Sequence, residues 1–386
     1  MRRFMNSMST SVDLKSVFDL PTGGDAGMNV LLVTTGINPA SGGPTRSVKG
    51  LCRALDRAGV NVTLLVLNGR HPFEDRGKVQ VLRGARVNVA DYDLVHLQGL
   101  WHWGLHNVAV ACRKYHVPYV VSPRGMLDPW ALGVKRWKKR LALLLYQRRD
   151  LLGAVAFHVT AALEEKSVRA QGLTQPCILS PNGVTQPDAM PPRSHGSAVK
   201  TAIFLSRLHP GKGLLALADA WARVRPRGWV MRVVGPDAYG HKAEVVACLE
   251  ALGIREQWCF VDMLDDVEKW KNYRSADLLI HPSVSENFGI TIAEGLAAGL
   301  PVIATKGAPW RELMTRKCGW WIDLPPKESL VAALREATAL TREELRAMGA
   351  RGRKLVEEKY TWEAACKAMV EGYGMICGRD RENRHG

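Results

Sequence analysis

The sequence predicts two α/β domains, each built on a parallel, doubly wound sheet. The chain has 386 residues, which is more than one hydrophobic core usually supports. Short apolar runs typical of buried strands alternate with helix-compatible segments along most of its length. One stretch rich in proline, glycine and serine, 181–200, divides this alternation into two series of similar length and is the best candidate for a linker.

The first series starts with the apolar run 29–35, which Gly36 closes before a Gly-Gly-Pro turn and a helical pattern at 45–58. The strands predicted after it lie at 60–67, 94–97, 118–121 and 154–160, and a helix lies at 103–115. We assign 28–181 to an N-terminal domain. Residues 1–27 lack the apolar core of a secretory signal and are interpreted as a loose extension.

The second series repeats this architecture and defines a C-terminal domain at 182–360. Its predicted strands lie at 201–206, 229–234, 258–261, 277–281, 301–305 and 319–322. Helical patterns follow at 328–340 and 342–360, and a last helix in 361–386 is expected to pack back on the N-terminal domain. Because open α/β sheets bind ligands at the carboxyl ends of their strands, we expect functional residues in the loops that follow the strands.

The composition is that of a globular protein with a strongly basic charge balance. Hydrophobic residues make up 46% of the chain, but no uninterrupted apolar run reaches the length of about 18 residues that spans a bilayer. The formal net charge of +16 leaves nucleic acid, an anionic membrane and a phosphorylated substrate open as partners. No nucleic-acid-binding module is recognisable, so we expect no nucleic-acid partner. The eight cysteines contain no C-x-x-C pair, which favours reduced thiols in a cytoplasm.

The loop 206–213 follows a predicted strand and opens a helix, and it contains Arg207, Lys212 and two glycines. Two cations and the backbone N–H groups of a helix N-terminus favour binding of a diphosphate. Gly213 stands where a Walker A loop needs serine or threonine, so an NTPase is not expected. The alternative is a solvated basic turn without a ligand.

A second loop follows the strand predicted at 277–281 and contains Glu286, with Glu294 in the helix behind it. Gly289 at the helix entry lets the backbone approach a ligand, and the amides of Phe288 and Ile290 beside it are available for hydrogen bonding. Glu286 can accept hydrogen bonds from sugar hydroxyls, and Glu294 could reach a ribose. The alternative is that both glutamates only complement the helix dipole.

Arg207, Lys212 and the pair Glu286 and Glu294 resemble, in order and spacing, the family-4 glycosyltransferases. The likeness extends from residue 29 to about residue 360. The stretches that support it are Gly42-Gly43-Pro44, Pro181-Asn182-Gly183-Val184 and Ala298-Gly299-Leu300-Pro301-Val302. The resemblance implies the GT-B fold, in which two Rossmann-like domains face a central cleft.

The resemblance also implies a role for each matching residue. Arg207 and Lys212 would hold the donor diphosphate and neutralise its charge as the nucleotide leaves, and Glu286 would orient the donor sugar. Glu294 would bind the ribose. The remaining donor-binding residues by this likeness are Gly42, Gly43, Asn287, Phe288, Gly289 and Ile290.

Members of this family retain the anomeric configuration and need neither a metal nor a cofactor besides the nucleotide sugar, which is of the UDP or GDP type. The sequence Asp91-Tyr92-Asp93 has the D-x-D pattern, but it precedes a predicted strand rather than following one, so we expect no metal site there. No nucleophilic carboxylate is evident on the acceptor side. We therefore expect a front-face mechanism in which a phosphate oxygen takes the acceptor proton.

The acceptor side departs from the family pattern. His96 is kept, but a second histidine expected two residues later is Gln98, and Arg124 stands in a loop where many members carry a histidine. The stretch 123–130, with His102 before it, is similar to enzymes that assemble bacterial surface polysaccharides. His96, His102 and Arg124 are thus acceptor-side candidates, and the two histidines could equally be structural. The alternatives are a soluble sugar or metabolite as acceptor, or a non-catalytic nucleotide-sugar-binding protein.

The segment 134–152 predicts a basic amphipathic helix. Trp137 and Leu144 lie on one side, among the cations Lys135, Lys138, Lys139, Arg140, Arg148 and Arg149. Such a helix can bind an anionic membrane, which would place the enzyme at the inner face of the cytoplasmic membrane beside a polyprenyl-linked acceptor. The alternative is that the apolar stripe faces the core of the domain.

Overall fold

The computed structural model describes residues 27–38, 43–69, 77–84, 87–192, 198–237 and 240–385. Nearly all of the predicted N-terminal extension and Gly42 lie outside the described residues. Within them, the chain forms two parallel sheets with helices between the strands, and the predicted fold class of two doubly wound α/β domains is confirmed.

The N-terminal sheet has seven strands in the order β3-β2-β1-β4-β5-β6-β7, all paired in parallel. The strands are β1 (Asn29–Thr34), β2 (Asn61–Val66), β3 (Gln80–Arg83), β4 (Leu94–Gln98), β5 (Tyr119–Ser122), β6 (Ala156–Val159) and β7 (Cys177–Leu179). The helices are α1 (Gly43–Arg57), α2 (Trp103–Tyr115), α3 (Pro129–Gly133), α4 (Arg136–Ala142), α5 (Arg148–Leu152) and α6 (Ala162–Arg169). Sequence analysis missed the two edge strands β3 and β7, because they are short and only partly buried.

The C-terminal sheet has six strands in the order β10-β9-β8-β11-β12-β13. The strands are β8 (Lys200–Leu205), β9 (Trp229–Val234), β10 (Trp258–Val261), β11 (Leu278–His281), β12 (Val302–Thr305) and β13 (Gly319–Ile322). The helices are α7 (Leu214–Val224), α8 (His241–Ala251), α9 (Asp266–Ser275), α10 (Ile290–Ala297), α11 (Glu312–Thr315), α12 (Lys327–Ala339), α13 (Arg342–Lys359) and α14 (Trp362–His385).

Strand order places the candidate loops side by side. In the C-terminal sheet, β8 and β11 are neighbours, although about seventy residues separate them along the chain. The winding reverses between them, which is the switch point where doubly wound sheets bind ligands. The loop with Arg207 and Lys212 and the loop with Glu286 therefore leave the sheet at adjacent positions.

The last helix, α14, packs on the N-terminal sheet rather than on the domain that precedes it. Its side chains Trp362, Met369 and Tyr373 are buried in one hydrophobic core with residues of α1, β1 and β2. Trp362 lies so close to Gly50 that a Cβ added there would be 1.9 Å from the indole ring. Glycine is therefore required at Gly50 for α14 to pack against α1.

Candidate active site

A cleft of about 360 Å³ has walls from both domains. The predicted site residues that line it are Gly43, Arg124, Arg207, Lys212, Glu286, Asn287, Phe288, Gly289 and Ile290. Glu294, His96 and His102 do not line it. The cleft thus brings together the loop after β8, the loop after β11, the start of α1 and the loop after β5.

The loop after β8 carries the two predicted phosphate-binding cations. The Arg207 side chain is exposed and makes no hydrogen bond or ion pair with any residue that the structure describes. Lys212 Nζ lies 2.5 Å from Glu286 Oε1. Because an ammonium group has three N–H donors, Lys212 can hold Glu286 and still bind a phosphate oxygen.

His209, which sequence analysis did not identify, shapes this loop. It precedes a short 3₁₀ turn at Pro210–Lys212, and its Nδ1 accepts a hydrogen bond of 3.0 Å from the Gly211 amide. Partial burial, together with the charges of Arg207 and Lys212, holds the pKa of His209 below its usual value. The imidazole is therefore neutral near pH 7 and able to accept this bond.

The backbone amides of the same loop are used within the loop. The Lys212 amide donates to the His209 carbonyl at 2.8 Å, and the Gly213 amide donates to the Pro210 carbonyl at 3.2 Å. These two amides are therefore already paired within the loop, and binding of a diphosphate by Arg207 and Lys212 rests on their side chains. Gly213 itself is required, since it has φ 77° and a Cβ there would lie 2.1 Å from the Pro282 carbonyl oxygen.

Glu286 is an ionised carboxylate fixed by two donors. Besides Lys212, His281 donates from Nε2 to Glu286 Oε1 at 2.7 Å. Burial alone would raise the pKa of Glu286, but the hydrogen bond and charge of His281 and the charge of Lys212 outweigh it and hold that pKa well below the usual range. Such a carboxylate is a strong hydrogen-bond acceptor and a weak base. His281 was missed, although it ends a strand at the ligand-binding edge of the sheet.

The helix α10 begins directly behind this loop, and its N-terminus faces the cleft. Gly289 precedes it with φ 80°, a left-handed conformation that glycine adopts without strain. The amides of Phe288, Gly289 and Ile290 make no hydrogen bond to other described residues. As predicted for this loop, these backbone donors are therefore available to a ligand, and the helix dipole favours an anionic one.

Glu294 lies one turn into α10 and is only 3% exposed. Its carboxylate accepts from Lys269 Nζ at 2.8 Å and from the Tyr273 hydroxyl at 3.1 Å, and Arg46 of α1 lies 3.6 Å away. The expected direct contact with a ribose is therefore corrected in part. Glu294 reaches the cleft through Lys269 and Arg46, both of which line it.

Arg124 lies on the N-terminal wall, in the loop after β5. Its backbone has φ 54°, a left-handed conformation that costs a non-glycine residue about 1 kcal/mol or more. Nε and Nη2 donate to Gln98 Oε1 at 2.9 and 2.7 Å, and Nη1 donates to Asn182 Oδ1 at 3.1 Å. The guanidinium group is thus fixed between the end of β4 and the junction of the two domains.

His96 is fully buried and belongs to a hydrogen-bonded chain. Its Nδ1 lies 2.5 Å from the Tyr373 hydroxyl, and its Nε2 lies 2.7 Å from Ser122 Oγ. Ser122 Oγ in turn lies 2.8 Å from Nδ1 of His158, whose Nε2 lies 2.9 Å from the Ser180 carbonyl oxygen. The acceptor-side expectation for His96 is therefore corrected, because both ring nitrogens are used inside the protein.

His102 also has a structural position. It caps the N-terminus of α2, where its Nδ1 accepts from the Gly104 amide at 3.1 Å, and its Nε2 lies 2.8 Å from Asn68 Nδ2. The acceptor-side expectation for His102 is corrected for the same reason as for His96.

The N-terminal wall contributes two further residues that sequence analysis did not single out. Asp128 caps α3 and accepts from the Ser285 hydroxyl of the other domain at 3.2 Å. Trp130 lines the cleft and meets the His209 ring edge to face, with 6.4 Å between ring centroids. The loop after β5 and the start of α3 therefore contact the two donor-side loops across the cleft.

The two carboxylates of the D-x-D pattern, Asp91 and Asp93, make hydrogen bonds within the N-terminal domain. Asp91 accepts from Asn88 Nδ2 at 2.8 Å, and Asp93 accepts from the Asn29 amide at 2.8 Å. Neither residue lines the cleft. In the described part of the chain, no three or more His, Cys, Asp or Glu side chains are grouped as a metal site would need.

Two family models match the chain. The model described as "Glycosyl transferase 4-like domain" matches residues 80–183, and the model described as "Glycosyl transferases group 1" matches residues 188–355. A D-inositol 3-phosphate glycosyltransferase of Segniliparus rotundus is 31% identical over 176 residues, which are 44% of this chain and 38% of that relative. The chain thus matches less than half the length of this relative.

Two solved structures share the fold over about nine tenths of this chain. Sucrose-phosphate synthase from Thermosynechococcus elongatus has a TM-score of 0.76 at 18% identity, covering 91% of this chain and 100% of that one. HepE from Anabaena in complex with UDP-glucose has a TM-score of 0.69 at 17% identity, covering 90% and 100%. At these identities the likeness establishes the fold. Together with the two family models, it shows that the chain belongs to the family-4 glycosyltransferases of the GT-B fold.

Proposed function

We propose that the protein transfers a sugar from a nucleotide diphosphate donor to an acceptor hydroxyl with retention of configuration and without a metal ion. One observation carries this proposal. Exposed Arg207, Lys212 bound to ionised Glu286, and the free amides at the start of α10 converge at the carboxyl ends of β8 and β11. This set supplies cations and N–H donors for a diphosphate beside a carboxylate for sugar hydroxyls.

On the donor side, Arg207 and Lys212 would stabilise the negative charge that develops on the departing diphosphate, which is the work that a metal ion does in other transferases. The amides of Gly289 and Ile290 would add hydrogen bonds to the same phosphates. Glu286 would then accept hydrogen bonds from hydroxyls of the transferred sugar. The base would lie near Pro236 and the exposed Met263, which line the same cleft and do not themselves distinguish UDP from GDP.

Retention is supported by the state of the carboxylates in the cleft. Glu286 holds two donors and has a depressed pKa, so it is a poor nucleophile and a poor base. Both carboxylate oxygens of Glu164 are occupied by backbone amides, of Gly125 at 2.7 Å and of Thr160 at 2.8 Å. Glu164 is therefore not placed as a nucleophile. Asp128 Oδ1 is bonded to the Trp130 amide at 2.9 Å.

A front-face transfer needs none of these carboxylates as a nucleophile. The bond between the anomeric carbon and the diphosphate oxygen breaks, and the nucleotide diphosphate leaves with the electron pair. The acceptor oxygen forms its bond to the same face of the anomeric carbon. Its proton passes to a phosphate oxygen of the leaving group.

The test is turnover of a panel of UDP- and GDP-sugars in EDTA, with the anomeric configuration of the product read by NMR. A panel screened first by protection against thermal unfolding would identify the donor. We expect activity in EDTA and a product with the configuration of the donor. Activity that returns only with added magnesium or manganese, or an inverted product, would overturn the mechanism. Donor binding without turnover on any acceptor would instead favour the non-catalytic alternative.

We also propose that the acceptor is lipid-linked, in bacterial polysaccharide synthesis, and that the enzyme works at a membrane surface. A π-helical turn, Leu143–Gln147, joins α4 to α5. The joined segment exposes Trp137, Leu144 and Leu145, with 67%, 82% and 69% of their surfaces accessible. This exposure argues against the alternative that the stripe forms core. Within the described residues, no helix combines the length and hydrophobicity needed to cross a bilayer.

The position of this helix supports the acceptor assignment. Lys139 Nζ donates to the Ala131 carbonyl in α3, and Ala131 lines the cleft together with Trp130. Exposed cations on the same segment include Arg136, Lys138, Arg140, Arg148 and Arg149. An anionic membrane that bound these residues would lie beside the entrance to the cleft. A soluble sugar acceptor would not need this surface.

A further inference from the structure

Arg124 is a cation in the cleft that lacks a paired carboxylate. Among the described residues, its side chain is bonded only to the neutral amide oxygens of Gln98 and Asn182. Guanidinium has five N–H donors, and these contacts use three of them. One N–H on each terminal nitrogen therefore remains without a partner, which matches a carboxylate or phosphate that binds through two oxygens.

Glu164, the carboxylate whose charge acts on Arg124, does not contact it. Glu164 acts on it only through space, because its two oxygens are bonded to the Gly125 amide at 2.7 Å and to the Thr160 amide and hydroxyl at 2.8 and 3.0 Å. Below Arg124, the buried imidazoles of His96 and His158 have lowered pKa values and carry no charge near pH 7. A partly buried cation in such surroundings is costly unless a ligand supplies the counter-charge.

The surroundings hold Arg124 in place rather than letting it swing to solvent. Its left-handed backbone, with φ 54°, is the kind of strain that functional positions retain. Gln98 must turn its amide oxygen toward the guanidinium group, and its buried Nε2 is consequently left without a hydrogen-bond partner. The strained backbone of Arg124 and the unpaired Nε2 of Gln98 both destabilise the fold, yet both are needed to hold the guanidinium group in this position. This argues that the group has a function other than support of the fold.

We propose that Arg124 binds an anionic group of the substrate on the acceptor side of the cleft, a carboxylate or a phosphate, separately from the donor diphosphate. This inference rests on the proposed function, since it takes Arg207, Lys212 and the α10 amides as the diphosphate site. Two sources share this chemistry. One is a carboxylate on the donor sugar, and the other is a phosphate of the acceptor.

Two matched pairs of probes separate these sources by isothermal titration. The donor pair is UDP-glucuronate and UDP-glucose. The acceptor pair is geranyl diphosphate and geraniol, each titrated in saturating UDP. We expect the wild-type protein to prefer the anionic member of one pair by at least about tenfold, as a charged hydrogen-bonded pair provides.

The variants assign that preference to Arg124. Arg124→Gln should reduce the preference for the anionic probe to less than about twofold while leaving UDP affinity unchanged. Arg124→Lys should keep part of the preference, because lysine keeps the charge but lacks the two parallel N–H donors of guanidinium. The control Arg335→Gln removes an equal charge from an exposed site on the other domain and should keep the full preference.

Several outcomes would overturn the proposal. The wild-type protein could show no preference in either pair, Arg124→Gln could retain it, or Arg124→Gln could weaken UDP itself, which would place Arg124 at the donor diphosphate. The first of these outcomes needs no variant to fold. Failure of the wild-type protein to bind UDP at all would contradict the proposed function instead.

Discussion

Tyr373 donates a hydrogen bond to His96, with 2.5 Å between its hydroxyl oxygen and Nδ1 of the imidazole. Tyr373 lies in α14 and His96 in β4, so the bond joins the last helix to the centre of the N-terminal sheet. The chain of donors has one direction, because the carbonyl of Ser180 at its far end can only accept. His158 must therefore donate from Nε2 and accept at Nδ1, and His96 must do the same.

Tyr373→Phe should lower the free energy of unfolding by about 1–3 kcal/mol, because it leaves Nδ1 of a fully buried His96 without a donor. The change can be measured by denaturant unfolding. Tyr115→Phe is the matched control, since Tyr115 is 50% exposed, and it should change stability by less than about 0.5 kcal/mol. Equal effects of the two changes would show that the buried bond contributes nothing.

The two buried imidazoles should make the protein sensitive to mild acid. Burial, followed by the charge of Arg124, lowers the pKa of His158 from 6.5 to about 3, and burial with the charge of His158 lowers that of His96. Between pH 6.5 and about 3 the unfolded chain binds a proton on His158 that the folded chain excludes. Stability is thus lost as the pH falls through this window, by about 1.4 kcal/mol per pH unit for His158, and the lowered pKa of His96 acts in the same direction.

Denaturant unfolding at several pH values between 7 and 4 would measure this slope. His158→Gln should lower the slope by the equivalent of about one proton taken up on unfolding, even if the variant is less stable at neutral pH. An unchanged slope in this variant would mean that the folded and unfolded chains bind a proton at His158 equally well, which would contradict the lowered pKa.

Arg207→Ala and Lys212→Ala should each cost about 2–4 kcal/mol of transition-state stabilisation, or roughly 30- to 1000-fold in kcat/KM, because each would contact the departing diphosphate. Lys212→Ala should cost more, since it also removes a donor from Glu286. Steady-state kinetics measure both effects. The exposed Arg335→Ala should keep normal kinetics. A near-normal kcat/KM for Arg207→Ala would return Arg207 to the class of solvated surface charges.

Gly213→Ala should disrupt the loop after β8, since the added Cβ would lie 2.1 Å from the Pro282 carbonyl oxygen and the residue has φ 77°. Gly228→Ala is a matched control with φ 71° and no atom within 4 Å of the added Cβ. The control should cost about 1 kcal/mol for the backbone conformation alone, and Gly213→Ala at least about 2 kcal/mol more. Thermal or denaturant unfolding compares them, and similar losses would contradict the close packing of the two loops.

Vesicle sedimentation tests the membrane surface. We expect the protein to bind vesicles that contain anionic lipid at low salt, and to be released as salt rises, because screening weakens its attraction to the surface. The triple change of Arg136, Lys138 and Arg140 to Glu should abolish binding, since each cation contributes about 1 kcal/mol. The same change at exposed Arg227, Lys327 and Arg335 is the control and should preserve it. A wild-type protein that ignores such vesicles at low salt would favour a soluble acceptor.

The fold class and the donor-side loops were predictable from local patterns in the sequence. Apolar periodicity marks strands that are buried on both faces, so it located β1, β8 and β11 and hence the loops that carry Arg207, Lys212 and Glu286. It missed β3 and β7, because short, partly exposed edge strands have little apolar signal. Gly213 and Gly289 are required by their left-handed backbone conformations, and their positions at helix starts were predictable from the sequence.

The sequence alone therefore determined which strands and loops exist and which cations, carboxylates and glycines they offer, because those properties depend on neighbouring residues. Only the tertiary structure decided which of them face the cleft. It buried His96 against Tyr373, which is 277 residues away, and paired the Glu294 carboxylate with Lys269. It also brought His281 to Glu286 and left Arg124 without a carboxylate, since hydrogen-bond partners and burial are set by packing between segments far apart in the chain.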